Sequence, residues 1–206
     1  MMSSKTLSLP NDKVKVLLVE NNKHKANDFM NALDDSNYHI VQVSNSGVSL
    51  LKEVDVFIPD VIIIDIESPD RDMLDSLNKI SKSAPKPVVM FSDQENTELI
   101  NLLVKSGVTA YVAGGVDPRR VRSILDTAIA RFTQYQGLKQ ELATTKQKLS
   151  NQRVVEQAKL WLIQNKNLSE QDAYHSMRKM AMDNGQRIED VAKNILSLAT
   201  MFEGTS

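Results

Sequence analysis

The sequence predicts an α/β domain with a five-stranded, doubly wound parallel sheet, followed by a long helix and an all-α domain of three helices. Three observations carry this. Four consecutive large aliphatic residues, Val61-Ile62-Ile63-Ile64, stand between Asp60 and Asp65, a run that suits a strand covered on both faces. Short β-branched apolar runs alternate with segments of helical period from residue 14 to about residue 131, the pattern of βα repeats. After Pro118 no proline recurs, and the helical period continues through the tail.

Each element follows in order. Val14-Lys15-Val16-Leu17-Leu18-Val19 reads as the first strand and stops at Glu20-Asn21-Asn22. Residues 23–35 form a helix with Ala26, Phe29, Met30 and Leu33 on one face. His39 to Val43 is a partly polar strand, as expected at a sheet edge, and residues 47–56 make a short helix. Val61 to Asp65 is the third strand, residues 71–83 a helix, and Pro87 to Phe91 the fourth strand. Asn96 to Ser106 is a helix closed by Gly107, Thr109 to Ala113 is the fifth strand, and Pro118 marks the next helix start. That helix runs to about residue 150 or beyond. Ala128, Tyr135, Leu138, Leu142, Thr145 and Leu149 form its apolar seam, heptad-like but diluted by Arg131, Thr145 and Gln152. Tyr135, Leu138, Leu142 and Leu149 are the expected dimer stem.

The tail reads as helices over 152–165, from the Ser169 N-cap to about Met182, and along Ile188, Val191, Ala192, Ile195, Leu198 and Phe202. About 50 residues make only a small core, so this part is expected to lean on a partner copy or on the long helix. The domains expected are therefore a flexible tail at 1–12, the α/β domain at 13–131, a helical or coiled-coil linker at 132–152 and the terminal domain at 153–206.

At 206 residues, two domains are the natural expectation for the chain. No cysteine is present, which excludes disulfides and thiolate chemistry and suits a reducing cytoplasm. No apolar run is long enough to span a bilayer, so no membrane partner is expected. The net charge of −1 hides a gradient. Residues 1–118 hold 11 Lys/Arg against 17 Asp/Glu, residues 119–150 hold 7 against 2, and residues 151–206 hold 7 of each. The acidic front half argues against nucleic-acid binding there. An enzyme is not expected, since no Ser/His/Asp set or glycine-rich phosphate loop occurs and His24, His39 and His175 are scattered.

In open parallel sheets, sites form outside the carboxyl ends of the strands. Those ends deliver Glu20, Asp65, Ser92 and Ala113-Gly114-Gly115. On these residues the chain resembles the response-regulator receiver family across about 13–131, a flavodoxin-like fold. The resemblance places Asp65 at the phosphoacceptor, Ser92 at the hydroxyl position and Tyr111 at the aromatic switch. It implies an acidic pocket of Glu20, Asn21, Asp65 and Ser92, with a weak Mg²⁺ site at Glu20 and Asp65; no other cofactor is required. Two departures follow. Asn21 replaces the second acid and Gly114 the lysine that would hold a phosphoryl group. Asp65 is therefore expected to be at most a poor phosphoacceptor.

The tail holds Val154-Val155-Glu156-Gln157-Ala158-Lys159, Leu168-Ser169-Glu170, Ala173-Tyr174, Met177-Arg178-Lys179-Met180-Ala181-Met182-Asp183, Arg187-Ile188, Val191-Ala192 and Ile195-Leu196. These runs resemble the ANTAR module, the three-helix RNA-binding domain of antitermination regulators. Asp65 to Asp72, Pro87 to Asp93 and Ala128 to Phe132 resemble its NasT branch. The resemblance implies a regulator of nitrate/nitrite assimilation genes that binds leader mRNA hairpins, with a nitrate-sensing NasS-like inhibitor as protein partner. The stem and the neutral charge of the tail lead to the expectation of a dimer.

The residues also read independently. Tyr174, Arg178 and Met182 fall at i, i+4 and i+8 of one helix, with Lys179 adjacent, Lys159 on the preceding helix and Arg187 beyond the turn. RNA readers stack unpaired bases on aromatic or guanidinium groups beside phosphate contacts, so these six are the candidate RNA-binding residues. Met177, Met180 and Ala181 are expected in the core, and Tyr174 and Met182 join them there if Arg178 is an ordinary solvated residue. The competing reading is a phosphorylation-driven, DNA-binding response regulator whose last two helices form a helix-turn-helix; Glu189 and Asp190 at the start of the recognition helix oppose it. A third is a protein-binding regulator that contacts no nucleic acid.

Overall fold

A computed structural model describes residues 13–33, 37–43 and 50–203. The expected tail at 1–12 and the first residues of the helix expected at 47–56 lie outside these. The chain divides into two compact units, with the boundary between Gln136 and Gly137.

In the first unit, β1 (Val14–Val19), β2 (Tyr38–Val43), β3 (Val61–Asp65), β4 (Val88–Ser92) and β5 (Ala110–Ala113) form one sheet in the order β2-β1-β3-β4-β5. Every pairing is parallel. Helices α1 (Lys23–Ala32), α2 (Leu50–Phe57), α3 (Arg71–Ser83) and α4 (Thr97–Ser106) connect them. Successive side chains of a strand point to opposite faces, and the aliphatic run of β3 uses both. Ile62 and Ile64 join Leu17, Val54, Leu77 and Leu103 in one core. Val61 and Ile63 join Phe29, Phe91, Val121 and Leu125 in the other. Each fully buried aliphatic side chain contributes roughly 1.5–3 kcal/mol, and β3 is buried throughout. Strand β2, the partly polar one, is an edge.

Short polar side chains start the helices. Asn22, Asp70 and Asn96 accept backbone N–H groups of α1, α3 and α4. Helix α1 ends earlier than its periodicity suggests, at Ala32. Gly107 closes α4 at φ +110°, and a Cβ there would lie 2.6 Å from Cβ of Ser81 on α3. Both the conformation and the close approach require glycine.

Helix α5 (Pro118–Lys166) is continuous for 49 residues, through Gly137. The separate helix expected over 152–165 is therefore the last part of α5. No proline interrupts it, and left-handed Asn167 at φ +54° ends it. Helices α6 (Glu170–Asp183) and α7 (Ile188–Glu203) follow. The Ser169 hydroxyl accepts the Asp172 N–H at the start of α6, and Gly185 turns the chain at φ +60°. The second unit's core is Ala158, Leu162, Ala173, Met177 and Ala192, flanked by Val154, Trp161, Ile188 and Ile195. Three alanines at its centre let the helix backbones approach closely. No helix among the described residues is long and apolar enough to cross a membrane.

Candidate functional site

The carboxyl ends of the strands bring the acidic residues together. Glu20, just past β1, and Asp65, the last residue of β3, are 4% and 6% exposed; Ser92, ending β4, is 2% exposed. Glu20 and Asp65, with Asn21, Asn22, Lys25 and the loop after β3, line a cavity of about 450 Å³. The backbone N–H of Asn22 donates to Oε1 of Glu20. Oε2 of Glu20 and Oδ2 of Asp65 are buried without a hydrogen-bond partner. Burial first, and then the Glu20 carboxyl alongside, push the Asp65 carboxyl up to about 7, against the pull of the Lys25 ammonium.

Serine 92 is held inward. Its hydroxyl donates to the Glu67 carbonyl at 3.4 Å and accepts the Gln94 N–H at 3.2 Å. Tyr111, half-buried, donates its hydroxyl proton to the Gln94 carbonyl at 2.7 Å. Gly114 adopts φ +87° and brings no cation to the cavity. Lys25, on the first turn of α1, brings one instead, 3.7 Å from Oδ2 of Asp65. Nothing in the sequence alone joins Lys25 to Asp65; only the packing of α1 across the ends of β1 and β3 does. The two orphaned, buried carboxylate oxygens fit a hard divalent cation, which Glu20 and Asp65 would hold. Asn21 is exposed at the rim.

The second unit sorts its tail residues by face. Met177 and Ala181 are buried, as expected, together with Ala173. Tyr174 is 44% exposed and Met182 is 73% exposed, so neither is core. Arg178, Lys179 and Arg187 are exposed, and none of the three has an ion-pair partner among the described residues. Met180 departs from its expected place in the core and lies at the surface, because it points off the line that Met177 and Ala181 make along the inner face. Lys159 is paired with acidic residues. Its ammonium lies 2.7 Å from both Glu156 and Glu170, tying α5 to the first turn of α6. The two glutamates hold its pKa above the ordinary lysine value. An ammonium held by two carboxylates must exchange one of them before it can meet a phosphate.

A groove of about 550 Å³ runs beside Tyr174, lined also by Lys148, Asn151, Gln152 and Val155 of α5 and by Ile188 and Glu189 of α7. Of the α5 residues of this groove, Val155 lies in an ANTAR-like run of the sequence, whereas Lys148, Asn151 and Gln152 lie before it. Along α5, Tyr135, Leu138, Leu142 and Leu149 are exposed.

Five parallel strands in this order, with acidic residues closing β1 and β3, define a receiver-type signalling domain. The sequence profile of the response regulator receiver domain matches residues 16–126, more than half of the chain, and that of the ANTAR domain matches residues 143–196. The chain belongs to the response regulator receiver family and also carries an ANTAR domain, the architecture of an antitermination response regulator. It is 25% identical over 182 residues to the transcriptional regulatory protein PdtaR of Mycobacterium tuberculosis, covering 88% of this chain and 89% of that protein. Over 116 residues it is 25% identical to the chemotaxis protein CheY of Listeria monocytogenes, covering 56% of this chain and 98% of that one. In fold it is similar to a CheY-like receiver domain protein from Methanospirillum hungatei, with a TM-score of 0.52 and 17% identity over 60% of this chain and 99% of that one. The receiver domain of a modulated diguanylate cyclase from Desulfovibrio desulfuricans gives a TM-score of 0.51 and 18% identity, over 60% of this chain and 99% of that one.

Proposed function

We propose that this protein is a cytoplasmic transcription antitermination regulator that binds hairpins in nascent leader mRNA through the outer face of α6. The observation that carries the reading is the division of that helix. Met177 and Ala181 are buried, while Tyr174, Arg178 and Met182 stay exposed in one i, i+4, i+8 line. That line offers a ring and a guanidinium for stacking on unpaired loop bases, with Lys179 and Arg187 beside it for phosphates. The presence of an ANTAR domain supports RNA as the partner, and the likeness to a transcriptional regulatory protein supports the process.

The unit's neutral charge limits what one copy can do, because phosphate neutralisation supplies much RNA affinity. Two copies joined along Tyr135, Leu138, Leu142 and Leu149 would present two such faces, and the exposure of these four supports a dimer. The target genes are those of nitrate/nitrite assimilation, and a NasS-like nitrate-sensing protein engages the acidic receiver unit. Within that unit, Mg²⁺ would be held by Glu20 and Asp65. It would supply the positive charge that two adjacent buried carboxylates lack. With Asn21 and Gly114 at two receiver positions, Asp65 is a poor phosphoacceptor and the domain serves as a protein-interaction switch.

The test is binding of the full chain to a two-hairpin leader RNA and to duplex DNA of the same sequence. RNA-selective binding is expected, weakened about tenfold or more by Arg178→Ala, the scale of one charged contact of about 1.5–3 kcal/mol. Equal or DNA-preferring binding would support the helix-turn-helix reading instead. That reading places Glu189 and Asp190, in the first turn of α7, against phosphates.

A further inference from the structure

A second cavity of the first unit lies at the opposite end of the strands from Asp65, beneath the amino ends of β4 and β5. Its volume is about 440 Å³, within the roughly 300–1,000 Å³ range of small-molecule sites. The floor is apolar: Leu77, Ile80, Val88 and Val108 are all nearly fully buried. Phe132 and Tyr135 of α5 and Val104 of α4 also line it. Gly107 permits that lining, since only a residue without a Cβ lets the end of α4 sit against Ser81.

The charge of this cavity runs against its surroundings. Residues 1–118 carry 11 Lys/Arg against 17 Asp/Glu, yet Lys86 and Lys105 from that stretch, joined by Arg131 of the basic helix beyond it, line the cavity and no Asp or Glu does. None of these three cations has an ion-pair partner among the described residues. Helix ends do not balance them fully either. The terminal carbonyls of Ile80, Leu103 and Val104 already accept the N–H groups of Ala84, Val108 and Gly107, which reduces their pull on a cation. An apolar floor with unpaired cations around it recognises a ligand that is apolar along its body and anionic at one end. Inorganic phosphate would leave the floor bare, and a neutral hydrocarbon would leave the three charges without a partner.

We propose that this cavity binds a small amphipathic organic anion, an aromatic or short aliphatic carboxylate. Its body lies on Leu77, Ile80, Val108 and Phe132, and its carboxylate meets Lys86, Lys105 and Arg131. Arg131, Phe132, Tyr135 and Gln136 are the last residues of α5 before the boundary between the two units. Occupancy would therefore add contacts to the last helical turns of α5 that belong to the first unit.

The test uses the full chain and anilinonaphthalene sulfonate as a fluorescent amphipathic anion, with benzoate and octanoate as competitors. Saturable binding at one site per chain is expected, displaced by either carboxylate. It should weaken about tenfold or more when Lys86, Lys105 and Arg131 are all changed to Gln. Val104→Trp, at a position that is 55% exposed, should fill the cavity and abolish binding while the melting temperature holds. Leu142→Glu, on the stem, should leave it unchanged. Dye binding that ignores both the charge changes and Val104→Trp, or that Leu142→Glu removes, would overturn the proposal. So would displacement by an acidic peptide but by neither carboxylate, which would make the cavity a protein-docking surface.

Discussion

The ammonium of Lys25 lies 3.7 Å from Oδ2 of Asp65, a buried carboxylate oxygen that no hydrogen-bond donor reaches. The pair is too long for a hydrogen bond, and the lysine is partly open to solvent. Lys25 therefore tempers the repulsion between Asp65 and Glu20 without cancelling it. It enters from α1, whereas the position after β5 that holds lysine in receiver domains is Gly114 here. The cavity thus retains a fixed cation, on a different element.

This arrangement makes stability depend on pH in a definite direction. Asp65 titrates near 7 in the folded chain, and near 4 when unfolded. Between these values the folded state binds the extra proton, so stability falls as pH rises through the window and levels off above about 7. Asp65→Asn should remove most of that slope and raise stability at about pH 8 by roughly 1–3 kcal/mol in a chelating buffer. Thermal melts from about pH 4 to 8 check it, and an unchanged slope in Asp65→Asn would refute the assignment. Added Mg²⁺ should stabilise the parent protein and not Asp65→Asn, since ligand bound only to the folded state raises its melting temperature.

Much of the receiver unit was legible in the sequence because burial on both faces leaves a plain mark. Four aliphatics before Asp65 announce β3, and the acid follows at the strand end where sites form. The stop of α6 was legible too, because Gly185 must turn where a Cβ is disfavoured. What stayed hidden depends on distance in space. Lys25 sits 40 residues before Asp65, and Lys159 meets Glu170 only because α5 and α6 pack side by side. Met180 shares a run with Met177 and Ala181, and periodicity alone leaves a residue at the edge of the buried arc undecided.

The Lys159 tie predicts a stability effect that depends on salt. Lys159→Met should lower the melting temperature of the second unit, because it leaves Glu156 and Glu170 facing each other without a cation. Both pairs are screened by salt, so the deficit should shrink in concentrated NaCl. RNA affinity measured below the melting transition should change little. A large loss of affinity with the fold intact would place Lys159 among the RNA contacts.

Gly107→Ala should destabilise the first unit by roughly 2–4 kcal/mol, combining a left-handed backbone with a methyl group 2.6 Å from Cβ of Ser81. Gly114→Ala offers the matched control. Its φ is +87°, but the added Cβ meets nothing within 4 Å. Only the backbone cost should then appear, about 1 kcal/mol. Chemical denaturation of both variants separates the terms, and equal losses would show that the contact with Ser81 relaxes freely.

The stem yields the last prediction. Tyr135, Leu138, Leu142 and Leu149 recur at intervals of three, four and seven residues along α5, and each is at least half exposed in the single chain. An exposed apolar seam of heptad spacing on a 49-residue helix would be stabilised by a second copy. Leu142→Glu places a charge at the middle of that seam without disturbing any buried residue of its own chain. The variant should keep its helical content yet sediment as a monomer at concentrations where the parent is a dimer. Its affinity for a single hairpin should hold while affinity for a two-hairpin RNA falls by about tenfold or more, since linked binding is lost. A monomeric parent protein would refute the stem. A variant that dissociates and still binds two hairpins at full affinity would show that dimerisation serves something other than RNA recognition.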